Sequence, residues 1–477
     1  MTSKYRPVTT LACMAGLLAS SVVLGAQPQP GLSYGANLKL TAQSIDDLDL
    51  GTRDGGDFNG VGLSVRPWVY NRQGDWSAFA LGEAFLATDT IESDTSESDT
   101  FDPNDARERE DQFLAMHEFW VDYGGLSAYP GESLRLGRQK IRSADGLWWD
   151  SNIEALRWNF ETTLLSAHVG IAERFSDYRT DLDELAPEDE DRLHLLADLS
   201  WQWQPGHWAG VKLHHSDDGG NLPGVGESVD QMSKTTTGDL TWLGAELNGD
   251  FYNERSNLPL NYWVAATWLT GNVDTLRTNT VNGRRQANGQ VSQDVDAWAV
   301  DLGLRWNIDQ NWRVGTTYMR ASGGSDGDDS EQFQQTGLES NRSKFTGTGS
   351  AINRFGEAYR GEMNNLQAAS VFSGWQLAED YDASLVYHRF WRVDDQADSS
   401  SGLKAQLVPG EKDIGQEVDL VVTRYLNRGQ IPAGMEWLRA SSALVRFRGG
   451  LFFPGDAFGK GTDSSMHRAF VDFVWRY

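Results

Sequence analysis

Three residue types that hydrolases use for catalysis occur together in the run His214-His215-Ser216-Asp217-Asp218. In a catalytic triad, a histidine takes the serine proton while an acid orients the histidine ring, so the three side chains must converge. This run lies at the end of a predicted strand, where adjacent residues point to opposite faces. The side chains cannot converge locally, and we do not predict a catalytic site there.

Metal sites and cofactor sites have no clear sequence signal. The acidic runs 46–49 and 326–331 lack the calcium-loop spacing that ends in a glutamate at position twelve. Cys13 is the single cysteine, so the rest of the chain has no thiolate ligands and no disulfides. There is also no phosphate-binding glycine loop. We predict no cofactor, and divalent cations bridging acidic external loops remain an open alternative.

Basic side chains recur at alternate positions within apolar segments, and they form the main candidate site. Near the C-terminus, for example, Val445 and Phe447 alternate with Arg446 and Arg448. If the apolar residues face lipid, the bases face inward, because a lipid-facing Arg or Lys near the membrane midplane costs about 2–4 kcal/mol. The bases found by this pattern are Lys39, Arg66, Arg174, Arg305, Arg446 and Arg448. One interpretation is a cationic pore surface; the other is that each base pairs with an inward acid, such as Asp301 or Asp472, and stiffens the barrel.

The elements that position these bases are predicted to be transmembrane β-strands. In segment 466–477, Ala469, Val471, Phe473 and Trp475 share one face and charged residues share the other. About eighteen such segments occur along the chain at the length of barrel strands. After the N-terminal segment no stretch approaches twenty apolar residues, and the mean hydropathy is −0.50. Because only helices and closed barrels satisfy every backbone group in lipid, we predict an all-β fold, a transmembrane antiparallel up-and-down β-barrel of about 18 strands.

The two ends of the chain have different predicted roles. Residues 1–26 match a secretory signal peptide, with Lys4 and Arg6 before the apolar run 11–24. Residues 27–477 are predicted to form the barrel. The formal net charge of −27 argues against nucleic acid as a partner.

The links between predicted strands alternate in length, as short periplasmic turns and long extracellular loops do in outer-membrane barrels. Acidic runs lie in the long links and the bases lie on strands, so an acidic exterior is compatible with a cationic pore. The predicted long external loops are 89–111, 177–191, 217–233, 271–294, 323–363 and 393–416.

Several longer stretches resemble a known family. They include Arg66-Pro-Trp68, Glu118-Phe-Trp-Val-Asp-Tyr123, segments 175–189 and 335–343, and Arg446-Phe-Arg-Gly-Gly450. From about Leu38 to Tyr477 the chain resembles the alginate-export porins of Gram-negative bacteria. The resemblance implies an eighteen-stranded barrel in the cell outer membrane that secretes the polyuronate alginate passively through an electropositive constriction.

The resemblance also assigns pore-lining residues. It places bases at Lys39, Arg66, Lys140, Arg342 and Arg446, and acids at Glu118, Asp150, Asp181 and Asp472. Together with the bases found by alternation and with Arg354, these are the candidate pore-lining residues. His117 and Ala351 stand where a family member has Arg, and Lys140 replaces Arg, which keeps the charge but loses the bidentate fork for carboxylates. These three departures predict a weaker cationic ring and leave another uronate-rich polymer open as an alternative substrate.

We therefore predict a monomeric, non-enzymatic alginate porin that contacts outer-membrane lipid and periplasmic alginate-secretion proteins. The resemblance further implies that the periplasmic turn 426–440 acts as a gate. Two alternatives use the same barrel: a general anion-selective porin for small solutes, and an outer-membrane enzyme.

Overall fold

The structure, a computed structural model, shows eighteen long β-strands that form one barrel. The described residues are 31–46, 48–52, 57–89, 91, 110–129, 131–281, 283–326, 329–378, 380–426 and 442–477. In chain order the barrel strands are β1 (Leu32–Ile45), β2 (Phe58–Gln73), β3 (Trp76–Ala87), β4 (Gln112–Tyr123), β5 (Glu132–Arg142), β6 (Asp150–Glu161), β7 (Leu165–Glu173), β8 (Arg192–Gln204), β9 (His207–Asp218), β10 (Thr236–Gly249), β11 (Leu260–Val281), β12 (Arg284–Asn307), β13 (Trp312–Ala321), β14 (Leu366–Ala378), β15 (Tyr381–Arg392), β16 (Asp413–Leu426), β17 (Ser442–Pro454) and β18 (Met466–Arg476). Short two-residue strands lie within the link between β13 and β14, and Asp456–Phe458 forms one turn of 3-10 helix.

The barrel is closed by its first and last strands. Each strand pairs antiparallel with the next one in the chain, and β18 pairs with β1 from Arg476 opposite Asn37 to Arg468 opposite Ile45. A sheet closed in this way has no edge strand. It therefore exposes no row of unpaired backbone N–H and C=O groups to lipid, which could not hydrogen-bond to them. The predicted all-β, antiparallel, up-and-down barrel of 18 strands is confirmed.

Alternation along each strand sorts side chains between the outer surface and the interior. On β12, Trp298, Leu302 and Trp306 are exposed on the outside, whereas Asp301 and Arg305 are buried inside. Exposed tryptophans gather where short turns join the strands, at Trp76, Trp201, Trp203, Trp306 and Trp312. Indole rings suit a membrane interface because they combine an apolar ring with an N–H donor.

Among the described residues, no helix has the length and apolar character needed to cross a membrane.

The links differ in length between the two ends of the barrel. At the short-turn end, strands are joined by links such as 74–75, 205–206 and 308–311. At the opposite, long-loop end, the longer links are 88–111, 174–191, 219–235, 322–365 and 393–412.

The prediction of a long loop over 271–294 is wrong. β11 and β12 continue through this range as a hairpin and are joined only by the link 282–283. The range is mostly polar, but backbone pairing does not require an apolar face. Link 219–235 packs against the hairpin and buries Leu276 and Ala287 beside Val229, which stabilises a ribbon that would be marginal alone.

Three predicted segments lie wholly or mostly outside the described residues. They are the signal peptide 1–26, the gate 426–440 (of which only Leu426, at the end of β16, is described) and most of the loop 89–111. Their roles stay predictions.

Links from both ends fold into the barrel interior. Link 322–365, predicted as an external loop, starts at the long-loop end but buries Phe345 and Ile352 against Phe251 and Tyr252 of turn 250–259, which belongs to the short-turn end. The Lys344 Nζ lies 2.7 Å from Glu254 Oε2 of that turn, so the link reaches through the barrel. A barrel of this size encloses more space than its own inward side chains fill, and the apolar residues of both links occupy part of it.

Arg305 holds the inward turn 250–259 in place. Its guanidinium donates hydrogen bonds to the carbonyl oxygens of Phe251 (2.6 Å) and Asn253 (2.9 Å) and to Asn261 Oδ1 (3.1 Å). The side chain is fully buried beneath the turn. Arg305 was predicted to line the pore, and this is wrong, because the turn covers it from the lumen.

We expect Arg305→Ala to lower the free energy of unfolding by at least about 3 kcal/mol, because each hydrogen bond from a charged donor is worth about 1.5–3 kcal/mol. The matched control is Arg255→Ala on the same turn, whose side chain is 90% exposed and whose loss should cost less than about 0.5 kcal/mol. Guanidinium unfolding of lipid-embedded protein, followed by tryptophan fluorescence, measures both. Equal midpoints for the two variants would show that Arg305 does not anchor the turn.

Candidate functional site

The first cluster of candidate residues lies at the seam where the barrel closes. The Asp472 carboxylate on β18 accepts hydrogen bonds from Arg446 Nη2 (3.0 Å) and from Thr41 Oγ1 (2.9 Å). Lys39 Nζ, on β1, lies 3.5 Å from the same carboxylate. The pairing of the first and last strands therefore brings bases from the two ends of the sequence onto one acid.

A second acid extends this cluster onto the inward link 322–365. Glu357 lies 3.4 Å from Arg342 Nη2 and 3.5 Å from Arg448 Nη1, and Arg448 Nε is also 3.6 Å from Asp472. Burial by itself raises the pKa of the Glu357 carboxyl, but the guanidinium groups of Arg342, Arg448 and Arg360 outweigh burial and hold the pKa below its usual value. Among the described residues, these ion pairs join the two acids to four bases, which are Lys39, Arg342, Arg446 and Arg448.

The position of Glu357 is fixed by carboxylates of the barrel wall. Glu417 on β16 accepts hydrogen bonds from the backbone N–H groups of Ala358 (2.6 Å) and Tyr359 (2.9 Å), and Asp419 accepts one from Glu357 N–H (3.1 Å). Gly356 has a φ of +89°, and a Cβ there would lie 2.3 Å from Glu417 Oε2. Only glycine allows this close approach, which fastens the link to the wall.

Two further carboxylates hold bases on neighbouring strands. Glu83 on β3 lies 3.4 Å from Arg66 Nε and 2.6 Å from His117 Nε2. Asp150 on β6 lies 2.9 Å from Lys140 Nζ and accepts a 2.6 Å hydrogen bond from Ser340 Oγ of the inward link. His117, which stands where a family member has Arg, is therefore a direct partner of the Glu83 carboxylate.

In the ion pairs that Lys39, Arg66, Lys140 and Arg446 form with these acids, the acid is hidden and the base is partly accessible. The side chains of Asp472, Glu83 and Asp150 are 0% exposed. Their basic partners keep a larger fraction of the side chain accessible: 14% for Lys39, 19% for Arg66, 22% for Lys140 and 21% for Arg446. The accessible surface of each pair is therefore mainly cationic.

Other candidate bases are buried or lie elsewhere. Arg354 is buried, forms an ion pair with Asp301 and donates to Tyr252 Oη over 3.3 Å. Arg448 is fully buried, and Arg342 retains 6% exposure. Arg174 pairs with Asp177 and Asp189 of link 174–191, both at 3.4 Å. Arg354 and Arg448 support the wall and inward link instead of presenting charge to the lumen, which corrects their prediction as pore-lining bases.

The remaining predicted acids and the position of Ala351 serve local roles. Glu118 accepts hydrogen bonds from Trp120 Nε1 (3.2 Å) and from Lys140 N–H (3.4 Å). Asp181 lies in link 174–191, fully buried 2.7 Å from Arg179 Nη2, so it does not line the barrel wall. Ala351 offers its carbonyl to Arg342 Nη2 at 3.2 Å.

Sequence reasoning missed Glu83 and Glu357. Glu83 had a detectable signal, because it is a charged residue at an inward position of the otherwise apolar strand β3. Glu357 lies in an irregular link without alternation, so no periodic pattern marks it.

The histidine run does not form a triad. His214 is buried, where Trp149 Nε1 donates to its Nδ1 over 2.9 Å and its Nε2 lies 3.0 Å from His194 Nδ1. His215 has a different partner, Thr241 Oγ1, at 2.9 Å. This arrangement agrees with the prediction from strand alternation.

Sequence comparison matches residues 31–472 to a family described as alginate export. The alginate production protein AlgE of Pseudomonas aeruginosa is 60% identical over 98% of this chain and 96% of its own length. AlgE of Azotobacter vinelandii is 46% identical over 100% of both chains.

The chain belongs to the alginate-export family.

Solved structures place the fold of this family member among outer-membrane channels. OccAB2 of Acinetobacter baumannii aligns with a TM-score of 0.55 at 11% identity, over 94% of this chain and 98% of that one. OpdK of Pseudomonas aeruginosa, solved with vanillate, aligns with a TM-score of 0.52 at 10% identity, over 93% and 98%. At such low identity the similarity concerns the fold alone. Family membership and the barrel fold together locate the protein in the outer membrane.

We expect Asp472→Asn to destabilise this family member by about 3–5 kcal/mol, because it leaves Lys39, Arg446 and Arg448 without their shared buried carboxylate. Asp296→Asn, an exposed position on the outer face of β12, makes the same chemical change and should stay within about 0.5 kcal/mol of wild type. Unfolding midpoints in lipid vesicles compare the two. Equal stability of both variants would mean that Asp472 does not hold the seam cluster together.

Proposed function

We propose that this protein exports alginate passively across the outer membrane through an electropositive constriction. Family membership and the names of the relatives support alginate as the polymer. The observation that carries the constriction is the asymmetry of four ion pairs, in which Asp472, Glu83 and Asp150 are hidden while Lys39, Arg66, Lys140 and Arg446 remain partly accessible. A polymer with a carboxylate on each sugar would meet the basic half of each pair.

The hidden acids set how tightly the polymer is held. Conduction requires binding that is favourable enough to draw the substrate in but weak enough to release it. Lys39 and Arg446 share Asp472, so each base already has part of its charge compensated and contributes a moderate attraction. The same acids hold the bases in place without the polymer, which lowers the ordering cost when it arrives.

Lys140 and His117 would moderate the constriction. Lys140 presents a point charge where an arginine would offer two parallel donors to a carboxylate. His117 lies against Glu83 at 2.6 Å, so its ring is engaged by the wall. Arg66 and Arg446, which are 19% and 21% exposed, would supply the guanidinium contacts to uronate.

The partners of this function are proposals of the same kind. The protein would act as a monomer embedded in outer-membrane lipid and would receive polymer from periplasmic alginate-secretion proteins. We propose no enzymatic step and no cofactor.

If the protein instead modified the polymer, His214→Ala would abolish export with the barrel still folded. We expect export to persist in this variant, measured as secreted uronate in cells whose own exporter is deleted.

A general anion-selective porin is the competing proposal, and uronate oligomers distinguish the two. An alginate channel should be blocked by oligouronate more strongly than by an equal concentration of a small monovalent carboxylate, because several carboxylates engage several bases at once. Equal block by both solutes in planar bilayers would favour the general porin.

We expect Arg446→Glu to reduce the anion-to-cation permeability ratio by about a factor of two or more, because it replaces attraction with repulsion at a poorly screened site. Arg389→Glu is the matched control: Arg389 lies on the outward side of β15, paired with Asp413 at 2.6 Å. Reversal potentials in a salt gradient measure the ratio for both variants.

Arg446→Gln removes the charge without reversing it and should give an intermediate permeability ratio if Arg446→Glu folds poorly. If the Arg446 variants and the Arg389 control have the same selectivity as wild type, Arg446 only stiffens the seam and the proposed constriction is wrong.

A further inference from the structure

The hairpin formed by β11 and β12 projects from the long-loop end of the barrel. β10 begins opposite Thr275 and β13 ends opposite Ala299, whereas β11 and β12 remain paired up to Val281 and Arg284. From Thr275 to Val281 the strand rise corresponds to about 20 Å. This end of a porin-like barrel, with its long links, faces the outside of the cell, so the hairpin stands beside the exit of the pore.

Link 219–235 braces the hairpin on one side. The Val229 N–H donates to the Arg285 carbonyl at 2.9 Å, and the Ala287 N–H donates to the Glu227 carbonyl at 2.9 Å. Leu276 and Ala287 are buried in the same contact. An isolated hairpin is marginal in water, but this third segment holds the ribbon in a defined orientation and covers its outer face.

The opposite face of the hairpin continues the inner surface of the barrel. Val273 and Val295 on this face are buried in the core at the barrel mouth. A β-bulge shifts the pairing register between Arg277 and Thr278. Beyond the bulge Asn279 pairs with Gln286, and both residues still lie on the inner face. Beyond Val273 and Val295, the inner face carries Thr275, Arg277, Asn279, Val281, Arg284, Gln286, Val291 and Gln293.

Charge is divided between the two faces. Asp274, Asp294 and Asp296 lie on the outer face, in line with the lipid-facing Trp268 and Trp298. Arg277 and Arg284 lie on the inner face, and both are exposed. On the described part of this hairpin, the polar side chains of the inner face are therefore guanidinium, amide and hydroxyl groups, with no carboxylate, in a chain whose formal net charge is −27.

We propose that this inner face is a second, external contact site for the exported polyuronate as it leaves the pore, an inference that rests on the proposed function. The guanidinium groups of Arg277 and Arg284, about 13 Å apart along the strand, would pair with carboxylates. Asn279, Gln286 and Gln293 offer amides to sugar hydroxyls. The site would keep the emerging polymer on the axis of the pore and away from the acidic links at the same end.

The test is single-channel recording in planar bilayers with oligouronate added to one side at a time. The double variant Arg277→Glu and Arg284→Glu should lower the association rate of block from the long-loop side by about threefold or more at low salt, because local charge steers association. The difference should shrink as salt is raised. Block from the short-turn side and the conductance without oligouronate should stay unchanged.

Arg285→Glu is the matched control on the same hairpin, because Arg285 lies on the outer face with its Nε 2.9 Å from Thr278 Oγ1. A control that slows block as much as the double variant would overturn the proposal by pointing to a general charge effect.

If block occurs from both sides and is unchanged in the double variant, the external site is wrong and the pore function stands. If wild type shows no block from either side, the proposed function itself fails. If the double variant alters block only when the bilayer contains lipopolysaccharide, the inner face of the hairpin contacts lipid phosphate instead of the polymer, and the proposal is overturned.

Discussion

The pairing of β18 with β1 is the constraint on which the rest of this structure depends. In lipid, every backbone N–H and C=O of a strand needs a partner strand, and only a closed sheet supplies one for all of them. With eighteen strands, closure encloses a lumen that the barrel's own side chains do not fill. Link 322–365 and turn 250–259 enter this space from opposite ends and meet at Lys344 and Glu254. The pore is therefore what remains of the lumen after these two segments have packed.

Closure also determines the electrostatics of the interior. It sets Lys39 beside residues more than four hundred positions away, at Asp472 and Arg446. A buried charge without a partner is costly, whereas a paired one is tolerated. The structure meets this condition by burying Asp472, Glu83 and Asp150 beneath bases that keep part of their side chains exposed. The total charge of −27 is not informative about the pore, because the local arrangement sets the field along its axis.

Link 322–365 fills part of the lumen, and it also contributes residues to the candidate site. Glu357, held by Asp419 and flanked by Glu417, presents its carboxylate to Arg342 and Arg448. Removing this carboxylate would affect both the packing of the link and the ion pairs of Arg342 and Arg448. Outside the barrel, segment 219–235 braces and covers one face of the β11–β12 hairpin, and the other face carries the exposed Arg277 and Arg284.

Alternation in the sequence by itself indicated most of the strands, their approximate number and the inward direction of bases such as Arg446, because a side-chain period of two is a local property of the chain. Only the tertiary structure decided which of those bases are accessible. Arg305 and Arg446 have the same sequence signature, yet one is covered by turn 250–259 and the other keeps 21% of its side chain exposed. The polar range 271–294 was likewise taken for a loop, since its stability as a hairpin depends on the packing of Leu276 and Ala287 against a separate link. Glu357 could not be found at all, because irregular backbone has no period. Contacts between segments distant in sequence leave no local pattern, and they alone fix the ion pairs of this pore.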